Sequence, residues 1–128
     1  MANDHARAEF WRDFILARSG YPTPDRLRAQ FTQAEFSDFC SCGCNSFAVE
    51  VRQGTPPLVR PDKDVGVIYE ADFKLADERT LEIILFADGG GDLRYVEVDC
   101  CANSEPVPDP IEAGDEPFHT YMSDHLLR

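Results

Sequence analysis

Cys40, Cys42 and Cys44 put three thiols within five positions, and Cys100 and Cys101 add an adjacent pair. Sulfur at this density can hold a soft metal ion, exchange disulfides, or fill a turn beside a core. The spacing weighs these unequally. Structural zinc sites commonly use paired knuckles with two to four residues between ligands. Here a single residue separates each of the first three cysteines, and adjacent cysteines in a strand point to opposite faces. His119 and His125 are candidates for a fourth ligand, but both lie in a weakly patterned C-terminal stretch. A Cys-x-x-Cys redox pair is missing, and acidic neighbours such as Asp38 and Asp99 disfavour a thiolate. The leading expectation is reduced thiols in a turn and core edge, with no cofactor. The alternative is a zinc ion held by Cys40, Cys42 and Cys44.

Carboxylates form the second chemistry-bearing set. The chain has 24 acidic and 12 basic residues, and positions 61–128 hold seventeen of the acidic and five of the basic ones. The formal charge of −12 therefore belongs to the second half. Such a field repels nucleic acid and anionic membranes and attracts basic partners. Asp88, Asp92, Glu97, Glu105, Asp109 and Glu112 are the expected contacts for a basic protein or peptide. Glu70, Asp72, Glu82 and Glu97 lie on strand-patterned segments and can share one sheet face. Paired carboxylates can split their pKa values for acid–base chemistry. A solvated acidic face is the plainer expectation. His5, His119 and His125 lie near the ends, so no histidine–nucleophile arrangement is evident. Gly89-Gly90-Gly91 is flanked by Asp88 and Asp92 and precedes a strand, which suits a hairpin rather than a phosphate cradle.

The elements that position these groups follow from periodicity. Residues 6–18 repeat apolar positions at helical spacing through Phe10, Trp11, Phe14 and Ile15, and Ser19-Gly20 ends the helix. Thr23 is placed to cap a second helix, with Pro24 at its first position and Asp25 at its positive end. Leu27 and Phe31 give that helix an apolar side. Residues 32–39 continue the helix or turn away, with Phe36 and Phe39 covering one end of the core. From Phe47 the period becomes two, marking strands at 47–51, 65–75, 81–87 and 93–100. Ile84 and Phe86 give the third of these a second apolar face, as expected of a strand covered on both sides or met by a partner. Pro106, Pro108 and Pro110 exclude a helix and a central strand.

The fold expected is α+β. Two N-terminal helices pack on one face of a four-stranded, mainly antiparallel sheet, and an extended proline-rich C-terminal segment follows. One domain spans 1–128, with a helical part at 1–39, the sheet at 45–101 and an extended acidic tail at 102–128. In a flat meander the first and fourth strands would lie ~14 Å apart, at ~4.8 Å per strand. All five thiols would then share one end of the sheet without sharing a metal. Only curling, or a strand order that places the first strand beside the fourth, would join them.

The segments Cys42-Gly43-Cys44-Asn45-Ser46-Phe47 and Leu81 to Val98 resemble a group of small uncharacterised bacterial domains. These carry a Cys-Gly-Cys-x-Ser strand opening, an apolar strand, an Asp-Gly hairpin and a Leu-x-x-Leu-Glu-Val strand before a proline-rich acidic segment. The resemblance covers roughly residues 40–110 and implies no catalytic residues. The chain departs from the pattern at Val96, where leucine is usual, and in Cys40, Cys100 and Cys101.

The functional expectation is a non-enzymatic, bacterial, cytoplasmic protein that binds a basic protein or peptide through its acidic surface. An immunity-like role, masking the basic active surface of a toxin, fits the charge. No nucleic-acid or membrane partner is expected, because the acidic field repels both and no apolar run reaches the ~20 residues of a span; the cytoplasmic expectation rests on the lack of an apolar leader at the start of the sequence. The composition leaves oligomeric state open. Two other functions stay open: the zinc protein above, and a ligand-binding or enzymatic cavity between helices and sheet.

Overall fold

The computed structural model describes residues 3–63 and 65–128. Helix α1 spans His5–Arg18 and α2 spans Pro24–Thr32. Six strands follow: β1 (Ala34–Ser37), β2 (Phe47–Val51), β3 (Val67–Lys74), β4 (Thr80–Ala87), β5 (Leu93–Cys100) and β6 (His119–Met122). They form one sheet in the order β1-β2-β5-β4-β3-β6, with every pairing antiparallel. The α+β class agrees with the sequence; the four-stranded sheet does not.

The two additional strands lie at the edges. β1 occupies part of the stretch expected either to extend α2 or to turn away, and it turns away because Gln33 ends that helix and Arg52 N–H reaches back to the Gln33 carbonyl at 2.7 Å. β6 falls inside the stretch expected to be tail and pairs with β3 from Tyr69↔Met122 to Asp72↔His119. The order also differs from a simple meander. β2 lies beside β5, with Phe47 opposite Val96, so the first and last of the four expected strands are neighbours.

Both helices lie on one face of the sheet. Asp4 caps α1 by accepting the Arg7 N–H at 2.9 Å. Trp11, Phe14 and Ile15 are buried, and the Phe14 ring meets Phe73 of β3 edge-on at 5.1 Å. Phe10 departs from the expected stripe and is 40% exposed. In α2, Leu27 and Phe31 are buried, while the Thr23 side chain makes no capping bond and its carbonyl alone serves Arg26 and Leu27. The sheet side of this core is Ala71, Phe73, Leu81, Ile83, Leu85, Val96 and Val98. Fully burying such side chains stabilises by about 1.5–3 kcal/mol each. Aromatic rings thus pack across part of the helix–sheet interface.

A bulge re-aims one end of β3. The register shifts between Val67 and Tyr69, so Val67 pairs with Phe86 and Tyr69 with Leu85. A bulge sets two residues against one and moves a side chain to the other face. Val67 is thus 39% exposed and Ile68 is buried. The β4–β5 hairpin turns at Gly89-Gly90-Gly91 as expected. Asp88 Oδ1 accepts the Gly90 and Asp92 N–H groups, both at 3.0 Å. Gly91 has φ +90, and a Cβ there would collide with the Val59 carbonyl oxygen. Among the described residues, no helix is long and apolar enough to cross a membrane.

Candidate functional site

Two groupings of reactive side chains emerge, one at an end of the sheet and one on its uncovered face. The first is built on the loop between β1 and β2. Its base is clamped: Cys40 N–H donates to the Ser46 carbonyl at 3.1 Å, and Asn3 Nδ2 donates to the Cys40 carbonyl at 3.1 Å and the Ser46 carbonyl at 2.8 Å. At its tip Gly43, with φ +105, turns the chain, and its carbonyl accepts the Val107 N–H at 3.0 Å. The loop is therefore held from the N-terminal side and from the proline-rich segment.

The three sulfurs of this loop converge. Cys40 and Cys42 are in disulfide contact, and Cys42 Sγ lies 3.1 Å from Cys44 Sγ. Cys42 is exposed and Cys44 is buried. The expectation of five reduced thiols is thus corrected at Cys40 and Cys42, where the tight turn closes the sulfurs on one another. Beside them opens a cleft of about 400 Å³, walled by Arg7, Cys40, Cys44, Asn45 and Asp109 among others. Arg7 is 5% exposed and lies 5.0 Å from the Phe10 ring centre and 5.6 Å from that of Trp11. Its Nε–H donates to Asn45 Oδ1 at 2.8 Å, and a terminal nitrogen stands 3.9 Å from an Asp109 oxygen. A guanidinium is weakly hydrated for a cation and stacks well on aromatic faces, which suits it to such burial.

Cys100 and Cys101 lie at the same end of the sheet but form a separate set with Glu105. Adjacent strand residues should point apart. Here Cys101 leaves the strand with φ 53, which folds the two sulfurs to 3.8 Å. Burial, reinforced by the neighbouring Cys101, pushes the Cys100 thiol up to about 11.

The second grouping is the face of the sheet turned away from the helices. Side chains directly opposed across antiparallel strands share a face. The register therefore lays out one row as His119, Asp72, Glu82 and Asp99, and the next as Tyr121, Glu70, Ile84 and Glu97. Five carboxylates and one imidazole are packed into two rows. Asp72 is 8% exposed and Asp99 6%. His119 Nδ1 lies 3.0 Å from Asp72 Oδ2, while the buried Asp72 Oδ1 has no hydrogen-bond partner among the described residues. Glu70, Asp72 and His119 each offer a ligand atom within 4.8 Å of the others. Burial, with the Asp72 carboxylate beside it, pushes Glu70 up to about 7. Burial and the adjacent Glu97 do the same to Asp99, also to about 7. Beyond the carboxylates, Phe86 and Tyr95 stack edge-on at 6.0 Å, with the Arg94 guanidinium 5.8 Å from the Phe86 ring centre.

The carboxylates singled out from the sequence are dispersed. Glu97 lies on this face. Asp88 holds the hairpin, and Asp92 Oδ1 accepts from Gln30 Nε2 at 3.0 Å. Glu105 pairs with Arg79 at 3.8 Å, Asp109 lines the thiol cleft, and Glu112 is exposed in the segment before β6. Arg7 and Asn45 were missed. One signal for Arg7 was available, since it lies four residues before Trp11 on the apolar stripe of α1. His119 was considered only as a metal ligand; its place beside Asp72 depends on β6, which has no apolar alternation to mark it. No protein-family model, no curated protein and no solved structure matches the chain.

Proposed function

We propose that the protein is a non-enzymatic binding protein that docks a basic protein or peptide on the carboxylate face of its sheet. The observation that carries this reading is the state of Asp72. Its carboxylate is nearly buried, and four further carboxylates share its face of the sheet. Like charges at this density disfavour one another's ionised forms. A lysine ammonium or arginine guanidinium supplied by a partner neutralises the crowding that raises Glu70 and Asp99. Tyr121, 50% exposed, and Phe118, 55% exposed, flank the patch on the β6 side. Aromatic rings beside carboxylates suit an arginine-rich ligand through stacking and cation–π contact. An immunity-like role, in which this face masks the basic working surface of a toxin, meets these requirements. The resemblance to small bacterial domains is compatible with this role and assigns no residue to it.

The test is a nuclear magnetic resonance titration with an arginine-rich peptide. Amide shifts confined to β3, β4, β5 and β6, shrinking as ionic strength rises, support the reading. Shifts centred on the Asp88–Asp92 hairpin, or none at low salt, discard it. Saturation by a divalent ion at Glu70, Asp72 and His119, with indifference to the peptide, assigns the face to a metal instead.

A further inference from the structure

We propose that the loop from Cys40 to Cys44 is a redox-gated zinc clip. It is built from three thiolates, and the Cys40–Cys42 disulfide is its closed, metal-free form. The site is independent of the carboxylate face.

The geometry carries the assignment in three ways. First, all three sulfurs lie within 4.8 Å of one another. Tetrahedral zinc holds thiolates at ~2.3 Å, which spaces them ~3.8 Å apart. Cys42 and Cys44, at 3.1 Å, reach that spacing by a movement smaller than one bond length once the disulfide opens. Second, the loop is built around sulfur. The Cys42 N–H donates to Cys40 Sγ at 3.3 Å, a contact that favours the thiolate over the thiol. Gly43, in a left-handed conformation, brings Cys44 back toward Cys42. Third, the loop is already anchored, at its base by Asn3 and at its tip by Val107. An ordered site loses less conformational entropy on binding than a free loop.

Three protein ligands leave one tetrahedral position open. The 400 Å³ cleft adjoins the loop, and Cys40 and Cys44 line it. It has room for water or a small exogenous ligand, with the Arg7 guanidinium on its wall. Cys100 and Cys101 take no part, because their sulfurs belong to the other set.

The chemistry balances with a dithiol as reductant. The reductant gives two electrons and two protons to the Cys40–Cys42 disulfide and closes its own disulfide. Zinc then binds the three sulfurs and displaces their protons into solvent. Oxidation of Cys40 and Cys42 by any disulfide donor reverses the sequence and expels the ion.

The test uses the full chain, reduced and held without oxygen, with zinc alone as the probe against a chromophoric chelator. One equivalent of zinc should bind. Cobalt in its place should give the intense near-ultraviolet band of thiolate charge transfer. Cys42→Ser, at an exposed position, should leave the fold intact by circular dichroism and lose stoichiometric binding, whereas Cys101→Ser should keep it. The oxidised protein should bind none. Failure of the reduced chain to take up zinc, retention of the ion by Cys42→Ser, loss of it in Cys101→Ser, or equal binding by the oxidised form each overturns the proposal.

Discussion

Asn45 accepts a 2.8 Å hydrogen bond through Oδ1 from the Nε–H of Arg7. This buried contact fastens the start of α1 to the thiol loop just ahead of β2. The same oxygen accepts Trp11 Nε1–H at 2.9 Å, so one side-chain carbonyl serves two interior donors. Asn45 N–H in turn donates to the Val98 carbonyl at 2.9 Å. Helix, thiol loop and β5 therefore meet at a single amide.

Asn45→Ala should be among the most destabilising single substitutions in the chain. It removes the shared acceptor of the Arg7 Nε–H and the Trp11 indole N–H. Losing the acceptor of a buried donor costs about 1–3 kcal/mol, so a loss of ~3 kcal/mol is expected for the two bonds together. Urea denaturation measures it as a lower midpoint with little change in slope.

Stability should fall as pH rises through neutrality. Glu70 and Asp99 titrate near 7 in the folded protein and near their ordinary values, about 4, when unfolded. The folded state therefore binds more protons between about pH 4 and 7. The stabilisation is complete below that window and is lost as pH climbs through 7. Asp62 and Asp77 have the opposite sign, because backbone hydrogen bonds hold them below the usual range, but they act at lower pH. Thermal melts at mildly acid and mildly alkaline pH check the sign, and Asp99→Asn should flatten the dependence.

Ala102→Gly should stabilise the protein. Cys101, Ala102 and Asn103 have φ of 53, 55 and 61°, three consecutive left-handed residues with no glycine among them. A left-handed conformation costs a non-glycine residue roughly 1–2 kcal/mol, partly offset by the greater freedom that glycine loses on folding. A gain of about 0.5–1 kcal/mol is expected, read as a higher melting temperature.

Thiol alkylation of the reduced protein at pH 8 should be ordered. Cys42, exposed at the loop, should react first, and Cys100 last, since burial holds its thiol near 11 and only a small fraction is thiolate. Peptide mass spectrometry with two isotopic labels resolves the sequence of modification. Early labelling of Cys100 would show that its end of the sheet opens readily.

The interior strands were legible because their apolar residues recur with a period of two over five to eight residues. Leu81, Ile83 and Leu85 mark β4 without help from elsewhere, and the glycine run marks the hairpin after it. The edges were not legible for the opposite reason. β6 is exposed along its whole length, so no hydrophobic period distinguishes it from loop. Its pairing with β3 is made of backbone hydrogen bonds that any residue except proline can supply. The carboxylates of β3, β4 and β5 were visible as strand residues, but their rows depend on register across three strands and on the bulge at Val67. At the thiol loop, spacing pointed to a turn. Only the clamp from Asn3 and the reach of Val107, both distant in sequence, show that the turn is held in place.

The position of β2 beside β5 also shapes how the chain reaches this structure. β3, β4 and β5 follow one another through short connections, and contacts between near neighbours in sequence form fastest. β2 is synthesised earlier than all three, yet its inner ladder partner is the last of them. Until β5 emerges, Phe47 and Val49 have only β1 beside them. A ribosome-bound nascent chain therefore presents an apolar strand that awaits its mate, and this interval is when a chaperone would find it.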